Sequence, residues 1–255
     1  MIYSGFDARK VKEECIQWIR DYFEENGKGC NAVIGISGGK DSSIAAALCV
    51  EALGKERVIG VLMPQGNEIE DALRLVEFLD IKYLEMNIDT LVKIAIASID
   101  ISMIGTRYEF FDNITISDKT KINLPARMRM LLLYGVAQSC NGRVVNTCNL
   151  SEITVGYSTR WGDDVGDFSP LGNLTVSQVK QIGHELGIPK FLIERIPEDG
   201  LSGKTDEENL GVSYDEIDKY IINGTTGNSQ LDDIIKNLRD NNIFKQNRIP
   251  KFSYE

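Results

Sequence analysis

At 255 residues, 42% hydrophobic and 26% charged, the chain is long enough for one large domain with a sizeable buried core. A formal net charge of −10 argues against a nucleic-acid partner, and no apolar run approaches the roughly 20 residues that a membrane-spanning helix needs. Five scattered cysteines without Cys-x-x-Cys spacing, and no signal-peptide pattern at the start, exclude a zinc or disulfide framework and lead us to expect reduced thiols in a cytoplasmic protein.

In chain order, Asp7 is placed to cap a helix that runs to Asn26, with Val11, Cys15, Ile16, Ile19, Tyr22 and Phe23 on one face and Gly27 past its end. The segment 32–36 is short, apolar and β-branched, as a buried strand is. It breaks into Ser37-Gly38-Gly39, and an Ala-rich helix follows over 44–53 until Gly54. A Gly-rich turn between a buried strand and a helix N-terminus collects free N–H groups and the positive end of the helix dipole, which makes it an anion site.

Strands are expected at 57–63 and 82–86, with a helix over 68–79 between them and another opening at 87–89. The segment 103–122 has no clear period and reads as a loop ordered by ligand. Asn123-Leu124-Pro125 predicts a helix start, with Pro125 in its first turn, running to about 139. A fourth strand is expected at 143–146. The segment 146–171 is long and polar, and such a loop past a strand end is more often functional than decorative. Helices are predicted over 175–186, 214–222 and 231–238, with a second polar loop at 200–208 and a basic tail at Lys245, Arg248 and Lys251. Strands alternating with helices predict an α/β doubly wound parallel sheet with helices on both faces. Ligands bind such sheets outside the carboxyl ends of the strands, where residues 37–42 fall.

Ser-Gly-Gly-Lys-Asp-Ser (37–42) matches neither Gly-x-x-x-x-Gly-Lys-Ser/Thr nor Gly-x-Gly-x-x-Gly. It resembles the pyrophosphate loop of the N-type ATP pyrophosphatases, which cleave ATP between its α- and β-phosphates. With Asn-Leu-Pro-Ala-Arg-Met-Arg (123–129), Asn-Thr-Cys-Asn-Leu-Ser-Glu (146–152), Gly-Tyr-Ser-Thr-Arg-Trp-Gly-Asp (156–163), Asp-Phe-Ser-Pro-Leu (167–171) and Lys-Thr-Asp-Glu-Glu-Asn-Leu-Gly (204–211), nearly the whole chain resembles ammonia-dependent NAD synthetases. The resemblance implies an adenine nucleotide alpha-hydrolase-like single domain over 1–255, without a glutaminase domain and with a flexible lid at 241–255. It implies a homodimer built from the first helix and the 123–139 region. The implied reaction has two steps: the nicotinate carboxylate of deamido-NAD attacks the α-phosphorus of ATP, and free ammonia then displaces AMP to give NAD.

Carried over residue by residue, Gly35, Ser37, Gly38, Gly39, Lys40, Asp41, Ser42 and Thr147 would bind ATP. Asp41 and Glu152 would hold Mg²⁺ and serve catalysis, since carboxylates with phosphate oxygens and water suit that hard ion. Arg127, Arg160, Asp167 and Lys245 would bind deamido-NAD. Three positions depart from the family pattern: Val176 replaces an ATP-binding lysine, Glu198 a small hydroxyl residue and Phe244 a histidine, while Arg160 replaces a lysine with retained charge. These departures leave open a relative that adenylates a different acceptor, or a nucleotide sensor without catalysis. The single histidine, His184, lies away from every motif and reads as structural, Trp18 as packed on its helix, and Trp161 as lining the substrate site.

Overall fold

The computed structural model describes residues 5–104, 116–195, 205–247 and 249–252, with side chains of 101–104 excepted. Strands β1 (Asn31–Gly35), β2 (Val58–Leu62), β3 (Lys82–Glu85) and β4 (Gly142–Val144) form one sheet in the order β3-β2-β1-β4. Every neighbouring pair is parallel, with Ala32 opposite Val58, Asn31 opposite Gly142 and Ile59 opposite Lys82. Parallel strands need crossovers, and helices supply them.

Ala32, Val33 and Ile34 have no exposed surface, so β1 is covered on both faces. Its side chains alternate between two cores. Ala32 and Ile34 pack with helices α1 (Ala8–Asn26), α2 (Lys40–Leu53) and α7 (Val176–Glu185), through Ile19, Phe23, Ile44, Leu48, Val179 and Ile182. Val33 points the other way, toward Val92 of α4 (Asp89–Ile104) and Leu124 and Ala137 of α5 (Asp118–Ser139). A third, smaller core joins α6 (Leu150–Val155), α10 (Tyr214–Asn223) and α11 (Ser229–Asn242) through Val155, Tyr214, Ile217 and Ile235. Among the described residues the other α-helices are α3 (Glu70–Leu79), α8 (Lys190–Ile193) and α9 (Asp206–Leu210).

Local signals set most boundaries. The Asp7 carboxylate accepts from the Lys10 N–H at 3.0 Å and starts α1 as expected. The start of α5 differs from expectation. Ser117 caps it, accepting from the Thr120 N–H, and Pro125 lies inside the helix rather than at its head. Leu124 and Pro125 are both buried, and that packing outweighs the backbone bond a proline cannot make. The loop expected at 103–122 falls largely outside the described residues, and its described ends belong to α4 and α5. The polar segment after β4 also holds a helix that its composition hid, α6. Asn149 caps α6 and Glu152 closes a reciprocal capping box.

One buried carboxylate ties three helices together. Asp218 of α10 has no exposed surface. It accepts from the Ser151 hydroxyl of α6 and from both the N–H and the hydroxyl of Ser177 in α7. The bond to the Ser177 N–H also satisfies one of the free donors at the start of α7.

Candidate active site

A cleft of about 1360 Å³ opens at the carboxyl ends of β1 and β2. The Gly-rich turn after β1 forms one wall. The N–H of Ser37 and the hydroxyls of Ser37 and Ser42 close on one another at 3.1–3.3 Å, and the hydroxyl of Ser43 donates to the Gly39 carbonyl at 2.7 Å. Gly38 has φ +77°, and a Cβ there would lie 2.8 Å from the Ala72 nitrogen. Only glycine satisfies both the left-handed backbone and the close approach of α3. The turn delivers Asp41 in the first turn of α2, and Gly35, Ser37, Gly39, Asp41 and Ser42 all line the cleft.

Glu152 comes to the same cleft from α6, with Thr147 and Cys148 beside it. Asn149 connects the two carboxylates. Its Nδ2 donates to Asp41 Oδ1 at 3.1 Å and its Oδ1 accepts from the Glu152 N–H at 3.0 Å. The Glu152 Oε2 in turn accepts from the Asn149 N–H at 3.1 Å. Burial pushes the Glu152 carboxyl up to about 8, and the charge of Asp41 pushes in the same direction. Asp206 also reaches the cleft and accepts from the Tyr157 hydroxyl at 3.1 Å. Lys40 differs from its neighbours in the turn. Its side chain is 3% exposed, and its Nζ donates to Asp41 Oδ2 at 2.8 Å. Burial acts against this ammonium, but Asp41 and then Glu152 hold its pKa above the ordinary value.

Seven carboxylates line the cleft among the described residues: Asp41, Glu68, Glu70, Asp71, Glu152, Asp163 and Asp206. The cations are Arg129, Arg195 and Lys245. This excess of negative charge is a poor host for a bare polyphosphate. Among the described residues no three His, Cys, Asp or Glu side chains form a metal nest of their own. The pair Asp41 and Glu152, with its raised carboxyl, instead fits a divalent cation that arrives on phosphate oxygens and keeps water ligands.

The opposite wall is the segment 156–163. The Thr159 N–H donates to Asp163 Oδ1 at 2.6 Å, and the Trp161 N–H donates to Asp164 Oδ1 at 2.8 Å. Trp161 holds a positive φ of +60°. The tail fastens this segment. Lys245 Nζ donates to the carbonyls of Gly156 at 2.7 Å and Ser158 at 2.9 Å, and the Asn242 side chain donates to the Val155 carbonyl at 3.2 Å. Arg160 stacks between the rings of Trp161 and Phe244, at 5.0 and 5.6 Å, and its Nε is buried without a hydrogen-bond partner among the described residues. Arg160, Trp161 and Phe244 flank the cleft rather than line it.

Arg127 and Asp167 also stand apart from the cleft lining. Asp167 caps the edge of β4, its Oδ2 accepting from the Val144 N–H at 2.7 Å, and its carbonyl accepts from the Tyr22 hydroxyl at 3.0 Å. Trp18, Tyr22 and Phe168 stack beside it, and Trp18 is 46% exposed rather than packed away. Val176 is buried in the third core with Tyr214, and Glu198 lies outside the described residues. His184 sits on α7, 3.5 Å from Glu194 and away from the cleft.

Sequence reasoning overlooked several residues that the fold brings to the site, among them Asp206, Asp163, Arg129, Arg195 and Asn149. Arg129 reaches the cleft and donates from Nε to the Met63 carbonyl at 3.0 Å. Arg195 lines it and pairs with Asp71 at 3.1 Å. Asn149 bridges the acid pair, and its Asn-x-x-Glu spacing with Glu152 was a readable capping signal.

The profile of the family described as NAD synthase matches residues 11–251. The NH(3)-dependent NAD(+) synthetase of Methanocaldococcus jannaschii is 41% identical over 85% of this chain and 82% of that relative. That of Pyrococcus furiosus is 36% identical over 82% and 77%. The structure of NMN synthetase from Francisella tularensis superposes with a TM-score of 0.86 at 30% identity, covering 98% of this chain and 100% of that one. The parallel sheet, the Gly-rich turn at its carboxyl end and this likeness over most of its length agree: the chain belongs to the NAD synthase family, whose members are ligases.

Proposed function

We propose that this protein amidates deamido-NAD to NAD with free ammonia, consuming ATP and releasing AMP and pyrophosphate through an adenylated nicotinate. The observation that carries the reading is the joining of Asp41 and Glu152 through the Asn149 side chain, in one cleft with the nucleotide turn. Gly35, Ser37, Gly39, Asp41, Ser42 and Thr147 hold ATP from the cleft wall, with the α2 N-terminus toward its phosphates, while Gly38 shapes the turn and Lys40 supports Asp41 from behind the lining. Asp41 and Glu152 hold Mg²⁺, which when bound neutralises charge on the phosphates. The wall at 156–163, fastened by Lys245, shields the adenylated carboxyl from water and leaves it to ammonia.

Arg127 and Asp167 serve deamido-NAD from outside the cleft of their own chain, Arg160 and Lys245 from its rim and wall. That placement supports a homodimer in which α1 and α5 meet their counterparts. Trp18 on α1 and Leu131 on α5, 46% and 60% exposed, offer apolar surface for it. The chain acts as one domain on small molecules. Five free cysteines suit a cytoplasmic location, and among the described residues no helix is long and apolar enough to cross a membrane.

AMP and NAD formation from deamido-NAD, ATP, Mg²⁺ and ammonium tests the reading, with Asp41→Ala as control. Product from the native chain and none from the variant is expected; no product from either would overturn it. A second reading, a mononucleotide acceptor, is favoured by the fit to the NMN synthetase. Nicotinate mononucleotide assayed beside deamido-NAD separates the two by the ratio of their kcat/KM values.

A further inference from the structure

Helix α10 contributes no residue to the cleft lining among the described residues, yet it touches the elements that carry both acids of the cleft. Tyr214 and Asp218 are one turn apart on α10 and share a face. The Tyr214 ring centroid lies 5.6 Å from the Nζ of Lys40, the residue before Asp41. The Asp218 carboxylate accepts from the hydroxyl of Ser151, the residue before Glu152. From one face, α10 therefore reaches both α2 and α6.

The joint at Asp218 is polar and closed to water. Asp218 and Ser151 have no exposed surface. The Ser151 hydroxyl also accepts from the Val176 N–H at 3.1 Å, and the Ser177 N–H donates to Asp218 at 2.8 Å. Helix α6 is six residues long, and its buried residues, Ser151 and Val155, lie four apart on one face. Glu152 follows Ser151 by about 100° around the axis, which turns it to the cleft. The roll of α6 thus decides where the Glu152 carboxylate lies. Asn149 and Asn242 tie the two ends of the helix. On its buried face the contact of Val155 has no preferred direction, whereas the bond from Ser151 to Asp218 has one. Side-chain tips stand about 5–6 Å from a helix axis, so a roll of about 10° moves a carboxylate by about 1 Å. We propose that Asp218 is a positioning residue for Glu152: acting through Ser151, it fixes the roll of α6 and with it the gap between the Glu152 and Asp41 carboxylates. The inference rests on the reading of that pair as the holder of a divalent cation, not on the identity of the acceptor.

Two serine variants test it. Ser151→Ala and Ser177→Ala each remove one hydroxyl donor from Asp218, but only Ser151 stands on the helix of Glu152. Amide hydrogen exchange of α6 is followed in the metal-free protein. The affinity for Mn²⁺ with α,β-methylene-ATP is read from the spin resonance of free Mn²⁺, and each protein is melted beside these. In Ser151→Ala we expect Mn²⁺ to bind at least about tenfold more weakly and the α6 amides to exchange faster by a similar factor. In Ser177→Ala both readouts should change little, although stability falls in each variant. Ser151→Cys keeps the size of the side chain and weakens its donor, so it should fall between native and alanine, and it serves if Ser151→Ala does not fold. Equal effects of the two alanine variants on Mn²⁺ affinity, or unchanged affinity in a folded position-151 variant, would overturn the role of Asp218 alone. Failure of the native chain to bind Mn²⁺ with the nucleotide would overturn the reading of the acid pair, and the role of Asp218 with it.

Discussion

Asn149 donates from its amide to the Asp41 carboxylate at 3.1 Å, and the same side chain caps the helix that carries Glu152. One small residue thereby sets the separation of two acids that belong to different elements. Asn149→Ser keeps a competent cap and loses the bond to Asp41, whereas Asn149→Ala loses both. We expect AMP release to fall about 100-fold in each, and stability to fall by about 1 kcal/mol in the alanine variant alone. Turnover assays beside urea unfolding check this. Full activity in Asn149→Ser would show that the bridge to Asp41 has no role in the chemistry.

Glu152 makes stability depend on pH in a definite direction. Its folded pKa, about 8, lies above its ordinary 4.5. Between those values the folded chain retains a proton that the unfolded chain has released. The resulting stabilisation is fully present below pH 4.5 and is lost as the pH rises through 8. Asp163 and Asp164, raised chiefly by burial, act in the same direction. The metal-free protein should melt at lower temperature at pH 8.5 than at pH 6, and Glu152→Gln should flatten the slope. A thermal melt series across that range, with and without Mg²⁺ and ATP, measures it. A parallel slope in the variant would contradict the assignment.

Gly38→Ala places a side chain where φ is +77° and the Ala72 nitrogen would be 2.8 Å away. The backbone term alone costs about 1–2 kcal/mol, and the contact must push the turn from the N-terminus of α3. An increase in the KM for ATP of at least about tenfold is expected, with the KM for the acceptor little changed. Steady-state kinetics with each substrate varied in turn decides it.

Asp218→Ala strips the acceptor from Ser151, Ser177 and the first turn of α7 at once. One buried and two half-buried donors left unpaired should cost about 2–4 kcal/mol. For a chain of this size that is a fall in Tm of roughly 5–15 °C. Calorimetry checks it, and a shift under 2 °C would mean that the network contributes little.

The fold and the Gly-rich turn between β1 and α2 were legible because their signals are local. Strand, turn and helix over 31–53 occupy adjacent residues, and each carries its own propensity. Other features depend on direction in space. Arg127 and Arg129 lie two residues apart on α5, about 200° around the axis, so they face different neighbours, and only the sheet beneath them decides that Arg129 reaches the cleft. Lys40 sits in the most readable motif of the chain, yet nothing in the string Gly-Gly-Lys-Asp-Ser tells whether its ammonium faces ligand or lies behind Asp41. Helix α5 shows the limit of punctuation signals. Pro125 reads as a first-turn residue, but Ser117 offers a side-chain cap and buried Leu124 holds the earlier turn in place.

The bridge between Asp41 and Asn149 spans 108 positions of sequence. During synthesis the Gly-rich turn after β1 leaves the ribosome long before Asn149 and Glu152, and Asp218, which anchors α6 and α7, emerges later still. The central strand β1 also waits for β4 as its second neighbour, and α2 waits for α7 to cover its outer face. The two acids are therefore brought together by late-made elements, and a chain cut short before them lacks both the bridge and half of the core that holds the turn in place.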